Sequence, residues 1–146
     1  MDQIDINTEL DSFCCIDKIF DLTDRSIKGS YSVEPRHKFT AIESLAQLGA
    51  LHVRYLTNFE KFVFLLKVVK FNLPDFTNGS FNIDCEIIAN SSGAYSYKLM
   101  ADNGSENINS HMIFGVREFD NSKMYTSCKS HYEKVFRCLL KNSRGG

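Results

Sequence analysis

The sequence predicts an α+β domain in which a curved antiparallel sheet wraps around one long central helix. The first observation is periodic: Phe39, Ile42, Leu45, Ala46, Gly49, Ala50, Val53 and Leu56 recur at helical spacing, with Ala41, Leu48 and Leu51 on other faces. A helix apolar nearly all round belongs in an interior. The second is that strand-like runs precede and follow it, and a sheet needs its apolar face covered. The third is size: 146 residues, 43% hydrophobic, suit one domain with a substantial core.

Taken in order, residues 1–12 form a polar, acidic lead-in without the basic and apolar regions of a signal peptide. Residues 15–23 and 26–34 read as two strands joined at Thr23-Asp24-Arg25, and Pro35 ends the second. The helix follows from Phe39 to about Leu56, with Thr40 as a candidate N-cap and Glu43 in a capping-box relation to it. "FVFLLKVVKFNL" is continuous and apolar, like a central strand. "SFNIDCEIIA" alternates, placing Phe81, Ile83, Cys85 and Ile87 on one face. "AYSYKLMA" groups Tyr95, Tyr97 and Leu99, and "NINSHMIFGVREF" groups Ile108, Met112, Phe114 and Val116. Asn78-Gly79, Ser92-Gly93 and Asn103-Gly104 supply turns, so hairpins are expected between these four strands. "SHYEKVFRCLLKNS" reads as an amphipathic helix with Tyr132, Val135, Phe136, Leu139 and Leu140 on its apolar side. The expected organisation is a lead-in (1–12), one α+β domain (13–120) and a C-terminal helical extension (121–146).

A formal net charge of −1 excludes a global pull toward nucleic acid or anionic membrane, and the short basic groups are too dilute to track phosphates. Glu43, His52, Arg54 and Lys67 interrupt the apolar stretches too soon for a membrane span. Five cysteines without a Cys-x-x-Cys pair suit reduced thiols in a cytoplasm rather than disulfides or zinc. No metal site and no cofactor are expected. His52 reads as a packed or dipole-compensating residue; His111 and His131 read as structural or solvent-facing.

Several residues in this order carry a resemblance. Glu34-Pro35 ends a strand, and Ile42-Glu43-Ser44-Leu45-Ala46-Gln47 opens the helix; "KVVKFNL" then runs into Pro74. The chain over roughly residues 13–119 resembles the hotdog fold and, within it, the 3-hydroxyacyl-[acyl-carrier-protein] dehydratases, which read Glu-Ala-Leu-Ala-Gln at the helix. One departure stands out. The family carries its catalytic histidine in a Gly/Pro-rich loop before the helix, whereas here only Arg36-His37-Lys38-Phe39-Thr40-Ala41-Ile42 is present. His37 falls six residues before Glu43.

Removing water from a 3-hydroxyacyl thioester needs a base, an acid for the departing hydroxyl, and donors for the enolate-like oxygen. The resemblance implies Glu43 as acid and His37 as base. It implies a substrate-binding environment at Phe39, Ala41 and Gln47, with helix-start N–H groups polarising the carbonyl. A carboxyl enclosed by an apolar tunnel holds its proton to higher pH, which suits a donor near neutrality. Glu43, Gln47 and Arg54 fall within roughly 40° of one another around an ideal helix, forming one polar strip past Ala50. Capping or a subunit-facing position competes for Glu43, and a surface loop position competes for His37.

The implied substrate is an acyl thioester of acyl carrier protein or coenzyme A, and the implied assembly is a homodimer or higher homo-oligomer paired through sheet edges. Two alternatives accompany the dehydratase reading. One is a hotdog thioesterase, in which Glu43 activates water without a loop histidine. The other is a non-catalytic protein that binds an acyl chain or a partner.

Overall fold

The apolar helical run forms α1 (Thr40–Leu56) and is enclosed by a six-stranded antiparallel sheet. The computed structural model describes residues 16–33, 40–72 and 79–145. The strands are β1 (Lys18–Leu22), β2 (Ser26–Val33), β3 (Phe62–Phe71), β4 (Gly79–Asn90), β5 (Ala94–Asp102) and β6 (Asn107–Arg117), followed by helix α2 (Ser122–Gly145). Their order across the sheet is β1-β2-β4-β5-β6-β3. The sheet curves around α1, which touches every strand from β2 to β6.

Two strand expectations are corrected. β3 is an edge strand rather than a central one, pairing only with β6. Its continuous apolar run misled because both faces are apolar while one is open: Leu66 keeps 57% of its surface exposed, and Leu65 and Val69 44% each. Two register shifts, at Leu65/Lys67 and Val68/Lys70, interrupt the ladder, as bulges commonly do at edges. Nor do β3 and β4 form a hairpin, since β4 pairs with β2 and β5. The other two hairpins, β4–β5 and β5–β6, are present around Ser92-Gly93 and Asn103-Gly104. Asn103 Oδ1 accepts from the Ser105 and Glu106 amides, and Gly104 adopts φ +98°, so the second turn uses both its residues.

Alternation along the strands builds the core. Phe81, Ile83, Cys85 and Ile87 of β4 point inward together, as do Tyr97, Leu99 and Ala101 of β5 and Ile108, Met112 and Phe114 of β6. α1 contributes Leu45, Leu48, Leu51 and Val53. Burying each such side chain is worth about 1.5–3 kcal/mol, so the helix–sheet contact is a large stabilising contribution. Gly49 sets how close the two layers come. A Cβ there would lie 2.8 Å from Phe114 Cζ and 3.1 Å from Leu99 Cδ2.

Helix α2 starts earlier than its apolar pattern suggests, because Asn121 Oδ1 caps the Met124 amide at 2.8 Å. It lies against β1, and Phe136 packs between Tyr55 and Phe59 at the end of α1, with centroids 5.6 and 5.5 Å away. Its first turns are tied to the α1–β3 connection through Glu60, which accepts from Tyr125 Oη and pairs with Lys129. Among the described residues, no helix is long and apolar enough to cross a membrane.

The Gly49 contact yields a test. Gly49→Ala should lower stability by about 1–3 kcal/mol in urea unfolding, because the added methyl overpacks against Phe114. An unchanged midpoint would mean that the ring moves aside and the helix–sheet distance is not set there.

Candidate functional site

The sheet leaves one flank of α1 uncovered, and that flank carries the polar strip. Glu43, Ala46, Gln47, Ala50 and Arg54 line a pocket of about 260 Å³. Opposite them stand Val63, Phe64 and Leu65 of β3 with Phe114 of β6, and α2 closes the third side with His131, Tyr132, Val135 and Leu139. Small residues at 46 and 50 leave the space, since larger side chains there would fill it.

The two ends of the strip differ. Glu43, in the first turn of α1, is exposed at the rim, so the enclosure expected around it is not supplied by the described residues. Gln47 lies one turn on, half-buried on the pocket wall. Their spacing makes them neighbours on the helix surface. Arg54 lies deeper: its Cζ is 3.7 Å above the centroid of the Tyr132 ring, and Nη2 donates to the Val63 carbonyl at a long 3.4 Å. Burial draws its guanidinium below the ordinary value, against the opposing influence of Tyr132 and Cys128. An arginine nevertheless keeps its charge.

Of the other expected site residues, Ala41 falls in the first turn of α1, while His37 and Phe39 lie outside the described residues. Thr40 is the first helical residue rather than the cap before it. The contribution of α2 was not foreseen. His131 and Tyr132 sit on the pocket wall, and only the helical pairing of α2 with the end of α1, a tertiary event, brings them there.

His52, on another face of α1, has no part in the pocket. Its Nε2 lies 2.8 Å from the Thr23 carbonyl, so Nε2–H donates and Nδ1 accepts from Tyr97 Oη at 2.5 Å. The fully buried ring thereby ties α1 to β5 and to the β1–β2 turn. Burial lowers its pKa, although the Thr23 hydrogen bond and the Asp24 charge oppose the shift. The same burial pushes the Tyr97 hydroxyl far up, and Cys85 is a buried thiol also pushed well up by burial. These groups are structural by position. Ser96 and His111 form a separate 2.7 Å pair on the outer face of the sheet.

No protein-family model matches the chain, and no curated protein matches it in sequence. Solved structures do match in shape. A thioesterase from Pseudomonas aeruginosa, crystallised as a mutant, aligns with TM-score 0.64 over 80% of this chain and 93% of its own, at 11% identity. A thioesterase from Haemophilus influenzae aligns with TM-score 0.60 over 70% and 79%, at 13% identity. A hypothetical thioesterase protein from Streptococcus pneumoniae, crystallised with coenzyme A, aligns with TM-score 0.59 over 71% and 88%, at 11% identity.

The fold is the hotdog fold. In hotdog terms α1 is the central helix, β3 the free sheet edge and α2 an added helix over the open flank of α1. The identities are low enough that the likeness concerns architecture alone.

The His52 clamp has a pH consequence. Its folded pKa lies below the unfolded value near 6.5, so the unfolded chain binds more protons in that interval. The stabilising contribution is present above that value and is lost as pH falls through the folded pKa. Melting temperature should therefore drop on acidification from about pH 7 toward 5. His52→Gln should melt lower at neutral pH but with a shallower acid slope; an identical slope would assign it to other groups.

Proposed function

We propose that this protein is an acyl-thioester hydrolase acting on acyl-coenzyme A. The observation that carries the reading is the placement of Glu43 at the open end of an apolar pocket, on the first turn of a central helix. The solved thioesterases of the same fold support hydrolysis over dehydration, and the one crystallised with coenzyme A supports that carrier. Hydrolysis needs one base and a water, whereas dehydration also needs a proton donor on the other side of the substrate. The shortened loop around His37 agrees with the simpler requirement. A cytoplasmic setting suits both the substrate and the free thiols of Cys85, Cys128 and Cys138.

In this reading the acyl chain enters between α1 and β3, and the thioester carbonyl stops near the start of α1. The first-turn N–H groups around Ala41 lack helical acceptors and polarise the carbonyl oxygen, assisted by the helix dipole. The Glu43 carboxylate takes a proton from water, and the oxygen adds to the carbonyl carbon. Collapse of the tetrahedral intermediate breaks the C–S bond, and the departing thiolate recovers the proton as free coenzyme A. Gln47 positions the acyl group beside the carboxylate.

The same reading pairs two chains along β3. Its exposed Leu65, Leu66 and Val69 and its unpaired backbone edge would otherwise invite unspecific strand addition. A partner there would also enclose the rim where Glu43 stands exposed.

Two experiments bear on this. Glu43→Gln should reduce kcat for acyl-coenzyme A hydrolysis by about a hundredfold or more, with circular dichroism unchanged. Full retention of activity would remove Glu43 from the mechanism. Leu66→Lys should convert a dimer to a monomer by sedimentation; a wild-type protein already monomeric at micromolar concentration would contradict the edge pairing.

A further inference from the structure

The pocket has a second polar end that hydrolysis leaves unused. Arg54 lies about three turns after Glu43, roughly 16 Å farther along the helix axis. Beyond Gln47, which stands one turn from Glu43, the wall on the way to Arg54 is mostly apolar, with Ala46, Ala50, Leu51, Phe114 and Leu139. At the far end the guanidinium is half-buried, flat against Tyr132, with one long hydrogen bond to the Val63 carbonyl. Among the described residues no carboxylate pairs with it. A guanidinium has five N–H donors in a fixed fork, and among the described residues the Val63 carbonyl is the one acceptor they reach. Leaving such a charge against apolar walls is costly unless an anion joins it.

Compensation of the α1 dipole does not account for this placement. A last-turn arginine performs that task from the solvent, whereas this one is folded beneath α2. The sequence of chemistries along the α1 wall is thus carboxylate and amide toward the rim, apolar middle, cation at depth. A complementary ligand has a thioester, then methylenes, then an anion.

We propose that the acyl group this pocket accepts ends in a carboxylate, which the Arg54 guanidinium receives as a two-point ion pair while Tyr132 fixes the plane of the fork. The substrates are then monothioesters of dicarboxylic acids. This rests on the hydrolase reading for the thioester end only; the anion end stands on Arg54 and its surroundings. The phosphates of coenzyme A are the other source of anions, but they form a large, strongly hydrated, multiply charged group, whereas Arg54 is the one lysine or arginine lining the pocket.

The test pairs substrates of equal carbon number. Rates and dissociation constants are measured for succinyl-, adipoyl-, suberoyl- and sebacoyl-coenzyme A against butanoyl-, hexanoyl-, octanoyl- and decanoyl-coenzyme A. The comparison is made with wild type, Arg54→Met and Arg54→Lys. Methionine keeps much of the aliphatic packing, and the ratio of two substrates on one preparation cancels any loss of folded protein.

The wild type should prefer the dicarboxylic member, at the chain length that spans the pocket, by on the order of ten- to a hundredfold. Arg54→Met should abolish or invert that ratio, Arg54→Lys should restore part of it, and the affinity for coenzyme A alone should stay constant. Hydrolysis with no preference and equal dissociation constants would overturn the carboxylate end while leaving the hydrolase. Tighter dicarboxylic binding without hydrolysis would establish the Arg54 site and overturn the hydrolase. Loss of affinity for coenzyme A itself in Arg54→Met would mean that the phosphates are the anion, and the proposal would fail.

Discussion

The rest of the molecule depends on how closely α1 is held by the sheet that curves around it. Gly49 brings the helix backbone against Phe114 and Leu99, and the buried Leu45, Leu48, Leu51 and Val53 hold it there. His52 adds a directional constraint to this non-directional packing, fixing the helix by hydrogen bonds to Tyr97 and Thr23. With depth and rotation both set, the flank carrying Glu43, Gln47 and Arg54 can turn only toward the gap between β3 and α2. Packing on one side of the helix therefore determines the chemistry on the other.

That division of labour explains a feature of the sequence that composition alone leaves odd. A helix so apolar carries a carboxylate, an amide and a guanidinium because its circumference is shared between two environments. Ser44, Leu45, Leu48 and His52 meet the interior, whereas 43, 47 and 54 share a stripe with Ala46 and Ala50. The small residues in that stripe leave room that the polar ones surround. α2 turns the resulting groove into a pocket, since Tyr132 and Leu139 form its outer wall and the Phe136 contacts hold them in place.

Much of this was legible in the sequence. Periodicity identified α1 to within about a residue, and alternation assigned the inward faces of β4 and most of β5 and β6, because side-chain direction in a strand is a local property. Strand order is not local, and there the reading failed: an apolar run such as β3 looks central whether its second face meets a helix, a partner or water. The polar strip on α1 followed from helical geometry alone. The depth of Arg54 did not, because it depends on Tyr132, far away in the chain. Asn121 carried a readable signal for the early start of α2, an amide side chain just before the helix. The environment of His37 and Phe39 lies outside the described residues.

The central claim is that the chain breaks thioester bonds rather than dehydrating the acyl group, and one product analysis addresses it. Purified protein would be incubated with 3-hydroxydecanoyl-coenzyme A and the mixture resolved by mass. The account predicts free coenzyme A and intact 3-hydroxydecanoic acid. Loss of water with the thioester preserved would contradict it and make the dehydratase resemblance at Glu43 to Gln47 the correct guide to function.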